Sequence, residues 1–197
     1  MTPSWLKVMV TPQLEIWNGK FGVEYTDRSS VDIGARQKAF KKLLKGLPVE
    51  NVLEVGCGKG DNITALKKLG YEVKGVEPLP YALNKARDSG HEVVQGSCFS
   101  IPFPDKEFDL TFTAGVLMHV APEDKASAVK ELWRVTKSYL LVIEYYAPEE
   151  KSINYRGNKE LLWLRDYSSW GKNLLEKGQL SRSNGFDNCT YWLFKKE

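Results

Sequence analysis

The chain has 197 residues, 42% of them apolar and 27% charged, with a net charge of +3. That suits one domain with a full core, and the longest clean apolar run, near Tyr139–Ile143, is about one strand long, too short to span a membrane. Three widely spaced cysteines, Cys57, Cys98 and Cys189, argue against a disulfide framework or a metal site. Met1-Thr2-Pro3-Ser4-Trp5 lacks the charged and apolar regions of a signal peptide, so a reducing cytoplasm is expected.

In chain order, Trp17, Phe21, Tyr25 and Arg28 come first and recur every three or four residues. They fit either a helix whose aromatic stripe packs on a sheet or a mobile lid over residues 1–30, ahead of a main domain at 31–197. Gly19 and Gly22 favour the lid, since each weakens a helix by roughly 1 kcal/mol. Phe40, Leu43, Leu44 and Leu47 then mark the buried face of a helix, with Lys38, Lys41, Lys42 and Lys45 on its solvated side. No other stretch forms a basic stripe with interleaved aromatics, so nucleic acid is not favoured as a partner.

From there strand and helix alternate. Strands are expected at Asn51–Val55, Tyr71–Val76, His91–Gln95, Phe108–Ala114 and Tyr139–Tyr146. Helices fall at Asp61–Leu69, closed by Gly70, at Tyr81–Ser89, closed by Gly90, and at Pro122–Lys137. Such alternation predicts an α/β fold, a Rossmann-like doubly wound sheet of about seven mostly parallel strands with helices on both faces and an antiparallel C-terminal strand. Ligands of such sheets bind beyond the strands' carboxyl ends.

Glu54 there precedes Gly56, Cys57, Gly58, Lys59 and Gly60, a loop through which a backbone can approach a ligand closely. Glu77, 23 residues after Glu54 and followed by Pro78, stands at the spacing of an acid that meets ribose hydroxyls. Ser97 and Cys98 end the third strand, where backbone groups could meet an adenine edge; Phe99 fits its face or a plain core position equally. The glycine spacing does not match the nicotinamide pattern, which needs a glycine three residues beyond the second.

With Pro102–Leu110 and Ala114-Gly115-Val116-Leu117-Met118-His119, these segments stand in the order of the class I S-adenosylmethionine-dependent methyltransferases, which the chain resembles. The resemblance implies S-adenosylmethionine as cofactor and S-adenosylhomocysteine as product. The glycine loop would face the methionine part, Glu77 the ribose, Ser97–Phe99 the adenine and Ala114–Val116 the methyl end. A lid that excludes water would contribute Trp17, Tyr25 and Arg28 to the cofactor site.

A narrower resemblance, to the pseudaminic acid biosynthesis-associated methylases, rests on Trp17–Arg28, Gly115–Pro122, Glu144-Tyr145-Tyr146-Ala147-Pro148, Tyr155-Arg156-Gly157 and Arg165-Asp166. Beyond Tyr167 the chain is shorter and more polar than that family's pattern, which leaves the sheet's closing hairpin and its substrate wall open.

A sulfonium methyl is already activated, so the protein's main task is alignment, worth roughly 7 to 11 kcal/mol. Candidate catalytic residues are His119, Glu144 and Tyr145. His119 could instead cap the helix near Pro122, and Glu144 could form a salt bridge with Arg156 or Arg165. Tyr25, Tyr146, Tyr155, Arg156 and Arg165 are candidate substrate contacts, the arginines suited to a carboxylate or phosphate. The expected function is methyl transfer to oxygen or nitrogen of a small, polar, anionic metabolite such as a nonulosonic or nucleotide-linked sugar. Alternatives are a nucleic-acid or protein methyltransferase and a non-catalytic cofactor-binding protein; the fourth strand end lacks the Asn-Pro-Pro-aromatic type of signature found in amino methylases of nucleic acids.

Overall fold

The computed structural model describes residues 10–197. The N-terminal pentapeptide read for targeting and the first nine residues of the expected 1–30 lid lie outside the described residues. Two short helices, α1 (Pro12–Asn18) and α2 (Lys20–Arg28), lead into α3 (Ile33–Leu43). Thr11 starts α1 by accepting the Leu14 N–H on its hydroxyl at 3.2 Å, and Pro12 fits the first helical position, where no N–H is needed. The chain then turns at an extended Gly19. Gly22 lets the α1–α2 corner close, because a Cβ there would collide with the Trp17 carbonyl and the Leu79 side chain.

The alternating region is β1 (Asn51–Val55), α4 (Asp61–Lys67), β2 (Glu72–Glu77), α5 (Pro80–Asp88), β3 (Glu92–Gln95), β4 (Phe108–Ala114), α6 (Lys125–Val135) and β5 (Thr136–Glu144). A hairpin of β6 (Lys151–Tyr155) and β7 (Asn158–Leu164) follows, then β8 (Leu174–Leu180) and β9 (Cys189–Lys195). The seven-stranded sheet runs β3-β2-β1-β4-β5-β9-β8. β1 to β5 are mutually parallel, whereas β9 is antiparallel to both β5 and β8. This is the expected Rossmann-like arrangement.

Two apolar layers sandwich the sheet, as buried parallel strands require. Val52, Leu110, Phe112 and Leu141 face Phe40, Leu44, Ile63 and Leu83 of α3, α4 and α5. Leu53, Val55, Leu140 and Val142 face Ala128, Leu132 and Val135 of α6. Period-two alternation therefore sends Glu54 toward α3 and α4, and Glu144 toward the opposite face.

Three expectations are corrected. The helix expected from Pro122 is a 3-10 turn at Pro122–Asp124 followed by α6. β5 begins at Thr136 rather than Tyr139, directly after α6, with the Thr136 hydroxyl donating to the Leu132 carbonyl at 2.6 Å. The closing hairpin is complete: β9 is buried on both faces, with Trp192 and Phe194 on one and Tyr191 and Leu193 on the other, while β8 is an exposed edge. The segment reads as polar because β8 and its flanking turns carry the surface.

Candidate functional site

Beyond the carboxyl ends of β1, β2 and β4 lies a cavity with about 1170 Å³ of empty space, its open mouth included. It sits where strand order reverses between β1 and β4, the switch point at which open α/β sheets take ligands. Gly56, Cys57 and Gly58 form its floor, and the first two donate their N–H groups to the Val76 carbonyl at 2.7 and 3.1 Å. Gly58 has φ +55°, and a Cβ on it would project into open space with no atom within 4 Å. The backbone is thus laid bare to whatever occupies the cavity.

Glu77, 4% exposed, accepts the Gly58 N–H at 2.7 Å on Oε2 and the Leu79 N–H at 2.9 Å on Oε1. Burial nevertheless pushes its carboxyl up to about 7, the two backbone bonds opposing the rise. Each oxygen keeps a free lone pair, so a fixed pair of acceptors lines the cavity and suits vicinal hydroxyls.

Glu54, 2% exposed, accepts from the Asn62 amide at 2.6 Å on Oε1, whereas its buried Oε2 has no hydrogen-bond partner. Burial pushes this carboxyl up to about 8, against the Asn62 bond and the nearby Arg36 charge. Arg36 donates through Nη1 to Asn62 and through Nε to the Gly185 carbonyl at 2.9 Å, and its guanidinium lies 4.5 Å from the Phe186 ring centre. Arg36, Asn62 and Glu54 therefore form one polar wall, with an unsatisfied buried oxygen that calls for a donor or cation.

Pro78, Ser97, Cys98, Phe99 and Ala114–Val116 also line the cavity. The Ser97 hydroxyl accepts the Phe99 N–H at 3.2 Å and shapes that turn. Above stand Trp17, Tyr25 and His119. The Trp17 ring lies edge-on to Phe21, Tyr25 and His119 at 5.0, 5.1 and 4.7 Å. The N-terminal segment is thus helical yet stands over the cavity. It is fastened by Tyr81 donating to Asp27 at 2.7 Å, Gln13 to the Glu160 carbonyl at 3.1 Å and Lys59 to the Ser29 carbonyl.

His119 belongs to a 3-10 turn at Leu117–His119 and caps no helix. Its Nδ1 is 2.6 Å from the Leu161 carbonyl, an acceptor only, so Nδ1 carries the hydrogen and Nε2 keeps its lone pair. Burial lowers its pKa to about 4 despite that bond, so the ring is neutral near pH 7. Tyr155, at the end of β6, lies 5.5 Å from the His119 ring. Arg156 (φ +52°) and Gly157 (φ +88°) make the tight turn beside it, and Arg156 is exposed at the tip.

Other expected site residues are placed elsewhere. Glu144 is fully buried: Oε1 accepts from the Thr113 hydroxyl and the Val116 and Leu117 N–H groups at 3.0 to 3.1 Å, and Oε2 from Met118 N–H at 3.2 Å. It staples the turn that carries His119, has no salt bridge among the described residues and does not line the cavity. The Tyr145 hydroxyl donates to Asp187 at 2.8 Å, away from the cavity, and burial raises its pKa. Tyr146 lies beside Trp192 with the Lys177 ammonium 4.4 Å from its ring centre.

Arg165, 2% exposed, pairs with Glu150 at 2.9 Å and donates to the Val120 carbonyl at 2.9 Å, so it braces the hairpin. Arg28 lies over the Phe21 and Tyr25 rings, outside the cavity wall. Gly60 N-caps α4 with the His91 ring against its Cα and does not line the cavity.

Sequence reasoning missed Arg36, Asn62 and the Leu161 carbonyl. Arg36 did leave a signal, since it stands four residues before Phe40 on the apolar stripe of α3.

Comparison with known proteins places residues 53–141 in a match to the family described as Methyltransferase domain. An uncharacterized methyltransferase of Staphylococcus carnosus is 34% identical over 122 residues, 58% of either chain. The uncharacterized methyltransferase YcgJ of Bacillus subtilis is 33% identical over 137 residues, 65% of this chain and 53% of that protein. The chain thus spans little more than half the length of these relatives. Among solved structures, Burkholderia thailandensis 1,6-didemethyltoxoflavin-N1-methyltransferase, with bound 1,6-didemethyltoxoflavin and S-adenosylhomocysteine, aligns with TM-score 0.73 at 15% identity, covering 95% of this chain and 91% of that one. That likeness establishes the shared fold.

Proposed function

We propose that the chain is an S-adenosylmethionine-dependent methyltransferase acting on oxygen or nitrogen of a small polar metabolite. The observation that carries this reading is the pair of buried carboxylates at adjacent strand ends, facing one cavity floored by bare glycine backbone. The matching family and relatives support it. The residues present fit the cofactor: Glu77 offers two acceptors to ribose hydroxyls, and Ser97–Phe99 surround the base. The unpartnered Glu54 oxygen would receive the methionine ammonium, and Arg36 its carboxylate.

When bound, the cofactor supplies an electrophilic sulfonium methyl. The protein's part is to hold the acceptor in line, exclude water beneath Trp17 and Tyr25, and remove a proton. His119 is the residue for that last step, because Leu161 fixes its tautomer and leaves Nε2 ready to accept.

For the acceptor, the resemblance to nonulosonic-pathway methylases favours an acidic or nucleotide-linked sugar. Supporting this, Trp17, His119 and Tyr155, from three of the segments that carry the resemblance, surround one mouth. Incubation with labelled S-adenosylmethionine and separate pools of acidic sugars, nucleotide sugars, amino acids and nucleic acids tests the reading. Label is expected in a sugar pool. Label confined to nucleic acid overturns the acceptor class, and cofactor binding without transfer to any pool favours a non-catalytic binding protein.

A further inference from the structure

Outward from Tyr25 in the cavity wall, rings and guanidinium groups alternate. Arg28 of α2 lies 5.7 Å from the Phe21 ring centre and 5.4 Å from that of Tyr25. Phe21 meets Tyr155 of β6 at 6.1 Å, and Arg156 lies 5.8 Å from the Tyr155 centre. Two arginines, one from the N-terminal helices and one from the hairpin tip, thus flank a shared aromatic surface.

Neither has a carboxylate within 4.0 Å among the described residues. The acids nearest Arg28 in sequence are otherwise engaged: Asp27 with Tyr81 and Lys85, Glu24 with Lys20. Burial raises the pKa of the Tyr25 phenol, Tyr155 adds to the rise, and the charges of Arg36, Arg28 and Arg156 oppose it. Exposed like charges left unpaired on converging elements cost stability through repulsion, and a bound oxyanion removes that cost.

We infer that Arg28 and Arg156 form a clamp for a carboxylate or phosphate group on the methyl acceptor, seated over Phe21 and Tyr155. The inference rests on the methyltransferase reading for the word acceptor, but the anion site stands on its own geometry. Guanidinium suits this task, since its planar fork meets two oxygens at once. One ring, Tyr155, separates Arg156 from His119. The acceptor should therefore carry its anionic group and its reacting atom at separate ends of the molecule. Because the two arginines come from separate elements, the bound anion also ties the N-terminal helices to the hairpin.

The full chain saturated with S-adenosylhomocysteine is titrated with inorganic phosphate and, separately, with N-acetylneuraminate, following the arginine Nε–Hε resonances by NMR. Saturable shifts of two arginine signals are expected, and the tighter probe identifies the anion type. Arg28→Gln and Arg156→Gln should each weaken that probe about tenfold, the loss of one charge-assisted contact. Lys177→Gln, which alters another cation resting on aromatic rings, should leave it unchanged. Absence of saturable shifts, or wild-type affinity in either arginine variant, overturns the clamp. S-adenosylhomocysteine affinity should stay within about twofold in the variants. If the wild type fails to bind S-adenosylhomocysteine, the cofactor reading falls, and the same anion titration without it still decides the clamp.

Discussion

Glu54 and Glu144 both end buried parallel strands and both carry raised pKa values, yet they serve opposite halves of the molecule. On the β1–β2 side Glu54 has a single hydrogen-bond donor and a buried oxygen left over, facing a cavity. On the β5–β9 side Glu144 has four donors and does not line that cavity. Burial alone therefore does not distinguish the two carboxylates; what separates them is an unpartnered oxygen at the wall of the cavity. Arg36 and Arg165 differ in place instead: Arg36 stands in the cavity wall, whereas Arg165 lies beside Glu150 and the Val120 carbonyl.

The strongest way to break this comparison is Glu144→Ala. It leaves the Val116, Leu117 and Met118 N–H groups without their acceptor, and each orphaned donor costs about 1 to 3 kcal/mol. A loss of about 3 kcal/mol or more in urea unfolding is expected, with S-adenosylhomocysteine affinity of the remaining folded protein nearly intact. A mild stability effect with selective loss of affinity would place Glu144 in the binding half after all.

Glu54→Gln is the converse. It keeps the shape but removes the carboxylate that a bound ammonium would hold ionised, so affinity for S-adenosylhomocysteine should fall about tenfold while stability holds or rises. 5′-Methylthioadenosine, which lacks the amino acid, should bind both forms alike in calorimetry. Equal losses for the two ligands would remove Glu54 from the ammonium.

The smallest effect is a pH dependence. The folded-state pKa of Glu54, about 8, lies above that of an unfolded glutamate, so the folded chain holds a proton the unfolded chain has lost. Stability contributed this way is present at low pH and lost as pH rises through about 8. His119, lowered to about 4, is neutral in the folded chain, so only the tail of the unfolded imidazole's titration adds a small slope of opposite sign. Between pH 7 and pH 8 the free protein should lose about 1 kcal/mol, and Glu54→Gln should flatten the slope. An unchanged slope in the variant would assign the titration to Glu77 or Glu144.

The parts legible in the sequence were those set by local pattern. β1 and β4 fall where alternation and glycine boundaries put them, and Glu54, Glu77 and the glycine loop share one cavity because strand ends in a parallel sheet must converge. Pairings made over long separations were not legible. Nothing near Glu144 announces that a turn 26 residues earlier will fold back onto it. Nor does anything near His119 announce the carbonyl of Leu161, 42 residues away. Tyr145, Tyr146 and Arg165 look functional because they are polar, aromatic or charged at strand ends, yet packing commits each to a local partner. Glycine content at 19 and 22 suggested a break in the helix, and the chain used it for a corner rather than a coil.

Calorimetric titration of S-adenosylhomocysteine into the wild type and Glu77→Ala, with NAD as the control ligand, tests the assignment of the cavity most directly. One-site binding is predicted for the wild type, weakened by about one to two decades in Glu77→Ala as the charge-assisted bonds to the ribose are lost, with no binding of NAD. Equal affinity in the two proteins, or binding of NAD in place of S-adenosylhomocysteine, would contradict it.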